Sequence, residues 1–267
     1  MTGEKALEWN GWLTGDGGLL HMTSQIVSGP IVVLTGAGIS KDSGLDTFRD
    51  ADGVWSKVRI EDVATAAAFA RAPERVHAFY NARRERLLSS DVAPNPAHFA
   101  LVRLEEHWAH EVLVVTQNID DLHERAGTSN LIHMHGEMLK ARCESCARVT
   151  AWKDDLGLDT PCPGCKQSGA MRPDVVWFGE IPLEMDRIYQ AIADCALFIS
   201  IGTSGNVHPA AGFVREAREF AGAHTVELNL EPSAGHTMFH DAVLGPATIE
   251  VPAYVDRLLG PTFIDGR

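Results

Sequence analysis

Four short runs of β-branched and apolar residues constrain this chain most, because each stops at a glycine or a polar residue. Residues 30–35 (P-I-V-V-L-T) end at Gly36, and 111–116 (E-V-L-V-V-T) end at Gln117-Asn118. Residues 196–201 (A-L-F-I-S-I) end at Gly202-Thr203-Ser204, and 224–230 (H-T-V-E-L-N-L) end at Glu231-Pro232. Short continuous apolar runs fit strands buried on both faces, as in a parallel sheet. The intervening segments carry helical signals: 73–90, opened by Pro73, then 97–109 and 208–221. A fifth strand is expected at 247–251 and a closing helix at 252–259. Alternating strands and helices predict an α/β fold, a Rossmann-like doubly wound sheet. Ligands in such sheets bind beyond the carboxyl ends of the strands, where these glycines and polar residues fall.

One stretch breaks the alternation. Residues 137–172 hold four of the five cysteines, as Cys143-x2-Cys146 and Cys162-x2-Cys165, with fifteen residues between the pairs. Each pair suits a tight turn that aims two thiolates at one ion. Four sulfurs would close a tetrahedral shell with no position for water, so the expected metal is one structural Zn²⁺, with redox-active thiols as the competing reading. Cys195, flanked by Ala193 and Ala196, reads as a core cysteine. An odd count with paired spacing does not suit a secreted disulfide framework, and the expected location is cytoplasmic.

The chain has 267 residues, 45% apolar and 22% charged, as in an ordinary globular protein. No apolar run approaches the roughly 18–20 residues that span a bilayer, so no membrane partner is expected. Its formal net charge of −13 disfavours nucleic acid and suits cationic partners such as lysine-rich protein segments. Residues 1–28 show no period and read as a lead-in to a domain over 29–260. Within that domain, 57–95 reads as a helical insert and 137–172 as the zinc module. A monomer is the favoured state.

Gly36-Ala37-Gly38-Ile39-Ser40 follows the first strand, as a phosphate-approaching turn would, although Lys41 occupies the third glycine position of a full dinucleotide fingerprint. Residues 36–55 continue G-A-G-I-S-K-D-S-G-L-D-T-F-R-D-A-D-G-V-W. Here the chain resembles the sirtuins. The matching pieces follow in order: Gln117-Asn118-Ile119-Asp120, His135-Gly136, the cysteine pairs, Phe178-Gly179-Glu180, Gly202-Thr203-Ser204 and Asn229-Leu230-Glu231.

The resemblance implies an NAD-consuming protein-lysine deacylase. The acyl oxygen of a modified lysine attacks the ribose carbon that bears nicotinamide, and the products are nicotinamide, free lysine and O-acyl-ADP-ribose. His135 would be the general base and Asn118 and Asp120 its catalytic neighbours, whereas His133 is a competing candidate by residue type alone. Gly36 to Ser40, Thr47, Phe48, Arg49, Gln117 to Asp120, Gly202 to Ser204, Asn229 to Glu231 and Ala247 would line the cofactor. Val176 and a strand at Phe178, Gly179 and Glu180 would receive the acylated protein substrate by strand addition.

Tyr80 and Arg83 lie three apart on a predicted helix and so share a face. They resemble the family branch that accepts acidic acyl groups, and an Arg fork beside a Tyr hydroxyl suits a carboxylate. A surface Arg beside a core Tyr is the bland alternative. Glu137 is a departure, placing a carboxylate where many members carry a small residue. Mono-ADP-ribosyl transfer and a silent NAD-binding module are the alternative functions. A zinc dehydrogenase would need an open metal position that paired cysteines do not leave.

Overall fold

The computed structural model describes residues 28–46 and 59–260, so Thr47, Phe48, Arg49 and nearly all of the lead-in lie outside the described residues. The expected strands form where the apolar runs lie: β1 (Ile31–Thr35), β2 (Val112–Thr116), β7 (Leu197–Ile201) and β8 (His224–Asn229). β3 (Leu131–His133) and β9 (Asp241–Leu244) complete a six-stranded sheet in the order β3-β2-β1-β7-β8-β9. All its pairings are parallel. The order reverses between β1 and β7, which makes the space beyond their carboxyl ends the topological switch point.

Each face of the sheet has its own core. Ile31, Val33, Val114 and Val226 meet Leu101, Leu104, Val255 and Leu258 on one face. Val32, Leu34 and Phe198 meet Ile188, Phe213 and Ala217 on the other. Period-2 alternation of side chains between two covered faces is why these strands read as unbroken apolar runs.

Two expectations are corrected here. No strand forms at 247–251; Ala247–Leu259 is one helix, α8, and the edge strand is β9. Val251, Tyr254, Val255 and Leu258 recur at helical spacing and are buried, so packing decides against the local β-branched signal. The helix expected at 208–221 is broken: a 3-10 turn (Ala210–Gly212), then α7 (Phe213–Arg215), then a π-helical turn (Glu216–Phe220).

The helical segment before β2 comprises α1 (Ile60–Val63), α2 (Ala66–Arg71) and α3 (Pro73–Leu87), and α4 (Pro96–His107) follows. Pro opens both α3 and α4, and Asn95 caps α4 in a box closed by His98. α5 (Leu122–Ala126) follows β2 and α6 (Met185–Asp194) precedes β7. The cysteine-rich stretch folds as a separate antiparallel sheet, β5-β4-β6, from β4 (Gly136–Cys143), β5 (Val149–Ala151) and β6 (Met171–Val175). Gly136 is needed where β4 begins: its φ is +77°, and a Cβ there would sit 2.2 Å from the Asp174 carbonyl oxygen.

Candidate active site and metal centre

Three loops meet at the switch point, and they are joined backbone to backbone. Gly36 N–H donates to Ile201 O (3.0 Å), Gly38 N–H to Gly202 O (2.8 Å) and Gly202 N–H to Leu228 O (3.0 Å). A Cβ on Gly38 would lie 2.7 Å from Gly202 Cα, and one on Gly202 2.5 Å from Ile39 N. These glycines are therefore required by the approach of one loop to another, before any ligand is considered. The segment after Gly36 is a 3-10 helix, Ala37–Ser43, and Ile39 is wholly buried in the sheet core rather than facing outward.

Polar side chains of the expected set gather around this junction. The Asn118 amide donates to Gly36 O (3.2 Å) and Ser40 Oγ (3.1 Å), and Ser40 donates to Asp120 Oδ2 (3.1 Å). Asp120 also accepts from Leu122 N–H (3.2 Å). Burial pushes its carboxyl up to about 6, against the pull of those hydrogen bonds. The Gln117 amide donates to Thr203 Oγ1 (3.1 Å), and Asn229 donates to Thr203 O (2.8 Å). Leu230 and Glu231 are exposed beyond β8, and Ala247 is the first residue of α8. Ile119 packs its side chain inward and gives its carbonyl to Met138 N–H (2.7 Å).

The two rival histidines are separated by their partners. His133 is held at both nitrogens, Nδ1 by Asn118 O (3.1 Å) and Nε2 by Glu124 (2.8 Å). Burial opposes its charged form, but the Glu124 carboxylate outweighs that and its pKa is raised. His135 Nδ1 lies 3.0 Å from Gln117 O. A carbonyl only accepts, so Nδ1 carries the proton and Nε2 of the neutral ring is the basic atom. Burial lowers the His135 pKa, partly offset by the Gln117 carbonyl, which keeps the ring neutral near pH 7. The Glu137 carboxylate pairs with Lys140 and acts on His133, so its expected influence falls on the other histidine.

On the far side lies a cluster that the sequence did not signal. Arg172, almost wholly buried, makes a two-pronged bond to Glu180 (2.7 and 3.0 Å) and lies flat on Trp177, with Cζ 3.3 Å from the ring centroid. Glu180 also accepts from Trp177 N–H (2.8 Å), and the Trp177 indole donates to Tyr80 Oη (3.0 Å). Phe178-Gly179-Glu180 is therefore a turn, not the expected strand. The extended run ends at Val175, Phe178 makes one isolated bridge to Thr65, and Gly179 has φ +91°. Val176 N–H donates to His135 O (2.8 Å), so this segment abuts the candidate base.

Tyr80 is buried, and burial pushes its hydroxyl up to about 12. It accepts from Trp177, which leaves its own hydrogen to donate. Arg83 sits beside it, Cζ 5.6 Å from the Phe79 ring. Burial lowers its pKa, and Tyr80, Asp46 and Asp120 act on it in the opposite sense. Its neighbour Arg84 is no surface residue: it is buried and ties α3 to Met138 O (3.2 Å) and Asp154 O (3.3 Å).

The four paired cysteines fit one metal ion. Cys143 Sγ lies 3.7 Å from Cys165 Sγ and Cys146 Sγ 3.7 Å from Cys162 Sγ, and all four fall within 4.8 Å of one another. A tetrahedron with Zn–S bonds of about 2.3 Å has an edge of about 3.8 Å. The two turns are alike: Ala147 N–H bonds Cys143 O and Lys166 N–H bonds Cys162 O, with Ala147 and Lys166 at φ +57° and +65°. Cys195 is buried away from them, and burial pushes its thiol up to about 12.

Known proteins share this architecture and these motifs. The Sir2 family profile matches residues 36–209. The chain belongs to the Sir2 family. An NAD-dependent protein deacylase of Pasteurella multocida is 54% identical over 238 residues, covering 89% of this chain and all of that protein. A crystal structure of a Sir2 homolog–NAD complex superposes with TM-score 0.77 at 34% identity, over 86% of this chain and 91% of that one. A Sir2 bound to acetylated peptide gives TM-score 0.73 at 27% identity, over 85% and 92%. Sir2 membership agrees with the α/β sheet and the separate four-cysteine module.

Proposed function

We propose that this protein is an NAD-dependent protein-lysine deacylase that also accepts acidic acyl groups such as succinyl. The observation that carries the reading is His135: its Nδ1 is fixed by the Gln117 carbonyl, so Nε2 is a neutral base beside the switch-point loops. NAD, when bound, supplies an electrophilic ribose carbon and a leaving nicotinamide. Asn118, Ser40 and Asp120 hold the loop from Gly36 in place and offer amide, hydroxyl and carboxyl groups to the nicotinamide end. Thr203 and Asn229 serve the ribose and phosphate end. Ordering these groups before the reactants arrive is the main contribution the fold can make.

The acyl-lysine approaches past Val176 toward the helix bearing Tyr80 and Arg83. A half-buried guanidinium beside a phenol hydrogen favours a terminal carboxylate over a methyl group. The cysteine set would hold a structural Zn²⁺ by Cys143, Cys146, Cys162 and Cys165. Cysteines unpaired by disulfides suit a cytoplasmic protein, and among the described residues no helix is long and apolar enough to cross a membrane.

The test is a mass-spectrometric time course with NAD on one peptide carried as acetyl-lysine and as succinyl-lysine. His135→Ala should slow both reactions by about 10²–10⁴-fold. Arg83→Met should lose mainly desuccinylation. Release of nicotinamide with both peptides unchanged would sink the deacylase reading in favour of ADP-ribosyl transfer. Equal losses on both peptides in Arg83→Met would remove the acidic-acyl assignment.

A further inference from the structure

Two buried histidines behind the catalytic loops have hydrogen-bonding roles that their neighbours fix. His98 lies on α4 and His123 on α5, both with no exposed surface. Asn95 N–H donates to His98 Nδ1 (3.3 Å). A nitrogen that accepts from an N–H carries no proton, so neutral His98 holds its hydrogen on Nε2. His123 Nε2 lies 3.0 Å from Thr35 Oγ1. The Thr35 hydroxyl spends its single hydrogen on Thr116 Oγ1 (2.9 Å), so toward His123 it can only accept. Nε2 of His123 therefore carries the proton and Nδ1 is a bare acceptor.

The two atoms left over are His98 Nε2–H and His123 Nδ1. Both are buried without a hydrogen-bond partner, on rings whose centroids lie 5.0 Å apart at 64°. One is a donor and the other an acceptor. Had Thr116 donated to Thr35 instead, the Thr35 hydroxyl would donate to His123 Nε2 and the proton would move to Nδ1, which would leave two N–H groups on the neighbouring rings in place of one donor and one acceptor. The neutral state is also the one burial selects: His98 is pushed down to about 4 and His123 is lowered well below its ordinary value.

The hydrogen bonds on either side of this ring contact reach the proposed cofactor site. At one end the Asn95 amide donates to Ile39 O (2.7 Å) and Ser43 Oγ (2.9 Å), anchoring the Ala37–Ser43 segment. At the other, Thr116 Oγ1 accepts from Asn118 N–H (3.1 Å). We infer that His98 and His123 are positioning residues for NAD: a neutral, tautomer-locked imidazole pair that keeps the Ala37–Ser43 segment in register with Asn118. The inference rests on the reading that these loops bind NAD, and neither ring touches the reacting atoms.

The experiment uses the full chain, labelled with ¹⁵N-histidine, and long-range ¹⁵N–¹H spectra from pH 5.5 to 8. Both rings should appear as Nε2–H tautomers that do not titrate. NAD affinity is then measured by calorimetry for wild type, His98→Phe, His123→Phe and His77→Phe. The third variant controls for loss of a buried imidazole on a helix that carries neither ring. We expect roughly tenfold weaker NAD binding for the first two, a double variant no worse than either, and His77→Phe within twofold of wild type. An Nδ1–H tautomer on either ring, titration in that range, or unchanged NAD affinity in His123→Phe overturns the inference. If a variant fails to fold, the wild-type spectra still decide the tautomers. If wild type binds NAD but deacylates nothing, the proposed function falls while this inference stands.

Discussion

The parallel sheet and the four-cysteine module both hold functional loops in place, but by opposite physical means. The sheet is covered on both faces by packed apolar clusters, and the loops at its carboxyl ends need only glycine-to-glycine contact and a few hydrogen bonds. The module's own core is Ala141, Leu156, Ala170 and Met171 around two of its cysteines. So few apolar side chains cannot offset the entropy of ordering that stretch. Ligation must supply the difference, since structural zinc contributes apparent binding energies of about 10–16 kcal/mol in small modules. Positional accuracy in the sheet is thus vulnerable to added bulk, and in the module to loss of one ligand.

The largest effect expected from that difference is on Cys162→Ser. Removing one of four thiolates should release the metal and unfold β4 to β6, read as zinc content below one tenth per chain and rapid cleavage between 137 and 172 by a protease. Deacylation should fall more than about 100-fold, because β4 begins at the residue after His135 and Val176 N–H bonds the His135 carbonyl. NAD affinity should change far less, since the described loops on β1, β7 and β8 are held by hydrogen bonds to one another. Full activity in a zinc-free chain would break the comparison.

Gly38→Ala probes the other side. Its Cβ would meet Gly202 backbone atoms at 2.7 and 2.8 Å, so one loop must move. Overpacking of this kind costs about 1–3 kcal/mol, or a fall in Tm of about 2–12 °C for a domain of this size. Zinc content should stay at one per chain while NAD binding weakens. A normal affinity for NAD in this variant would mean that the two glycine loops do not set the cofactor site.

What could be read in the sequence follows from how local each signal is. The strands were legible because a strand buried on both faces is a continuous apolar run, and the cysteine pairs because each turn is built within four residues. β3 was missed because three residues carry no period, and 247–251 misled because Ile249 and Val251 are β-branched, although on α8 they point to opposite sides, Ile249 to solvent and Val251 to the core. The partners of the Glu180 side chain were illegible for a different reason. Its partner Arg172 and the Trp177–Tyr80 bond are set by tertiary contact, so neither has a signature at its own position. The same holds for Glu137, whose effect passes to His133 rather than to the adjacent His135. His98 and Asn95 carried a usable signal, Asn-Pro before a helix with His at the third position, that points to a cap.

The smallest expected effect concerns Asp120, where the sheet's rigid packing works against a charge. Its folded pKa of about 6 stands above an ordinary value near 3.8, so the folded chain holds this proton more tightly than the unfolded one. The sign follows: stability from this group is complete below about pH 4 and is lost as pH rises to about 6, a cost of up to about 3 kcal/mol above that. Asp120→Asn removes the cost but loses the Ser40 hydroxyl's carboxylate partner, worth about 1–2 kcal/mol. The variant should therefore be more stable than wild type by on the order of 1 kcal/mol at pH 7.5, and less stable at pH 4, in urea titrations at the two values. Deacylation at pH 7.5 should fall in the same variant, because a gain in stability at a functional group is normally repaid in activity. If Asp120→Asn is destabilised equally at both pH values, the carboxyl is held as an ordinary ionised group, and the packed sheet does not burden its site with a buried charge.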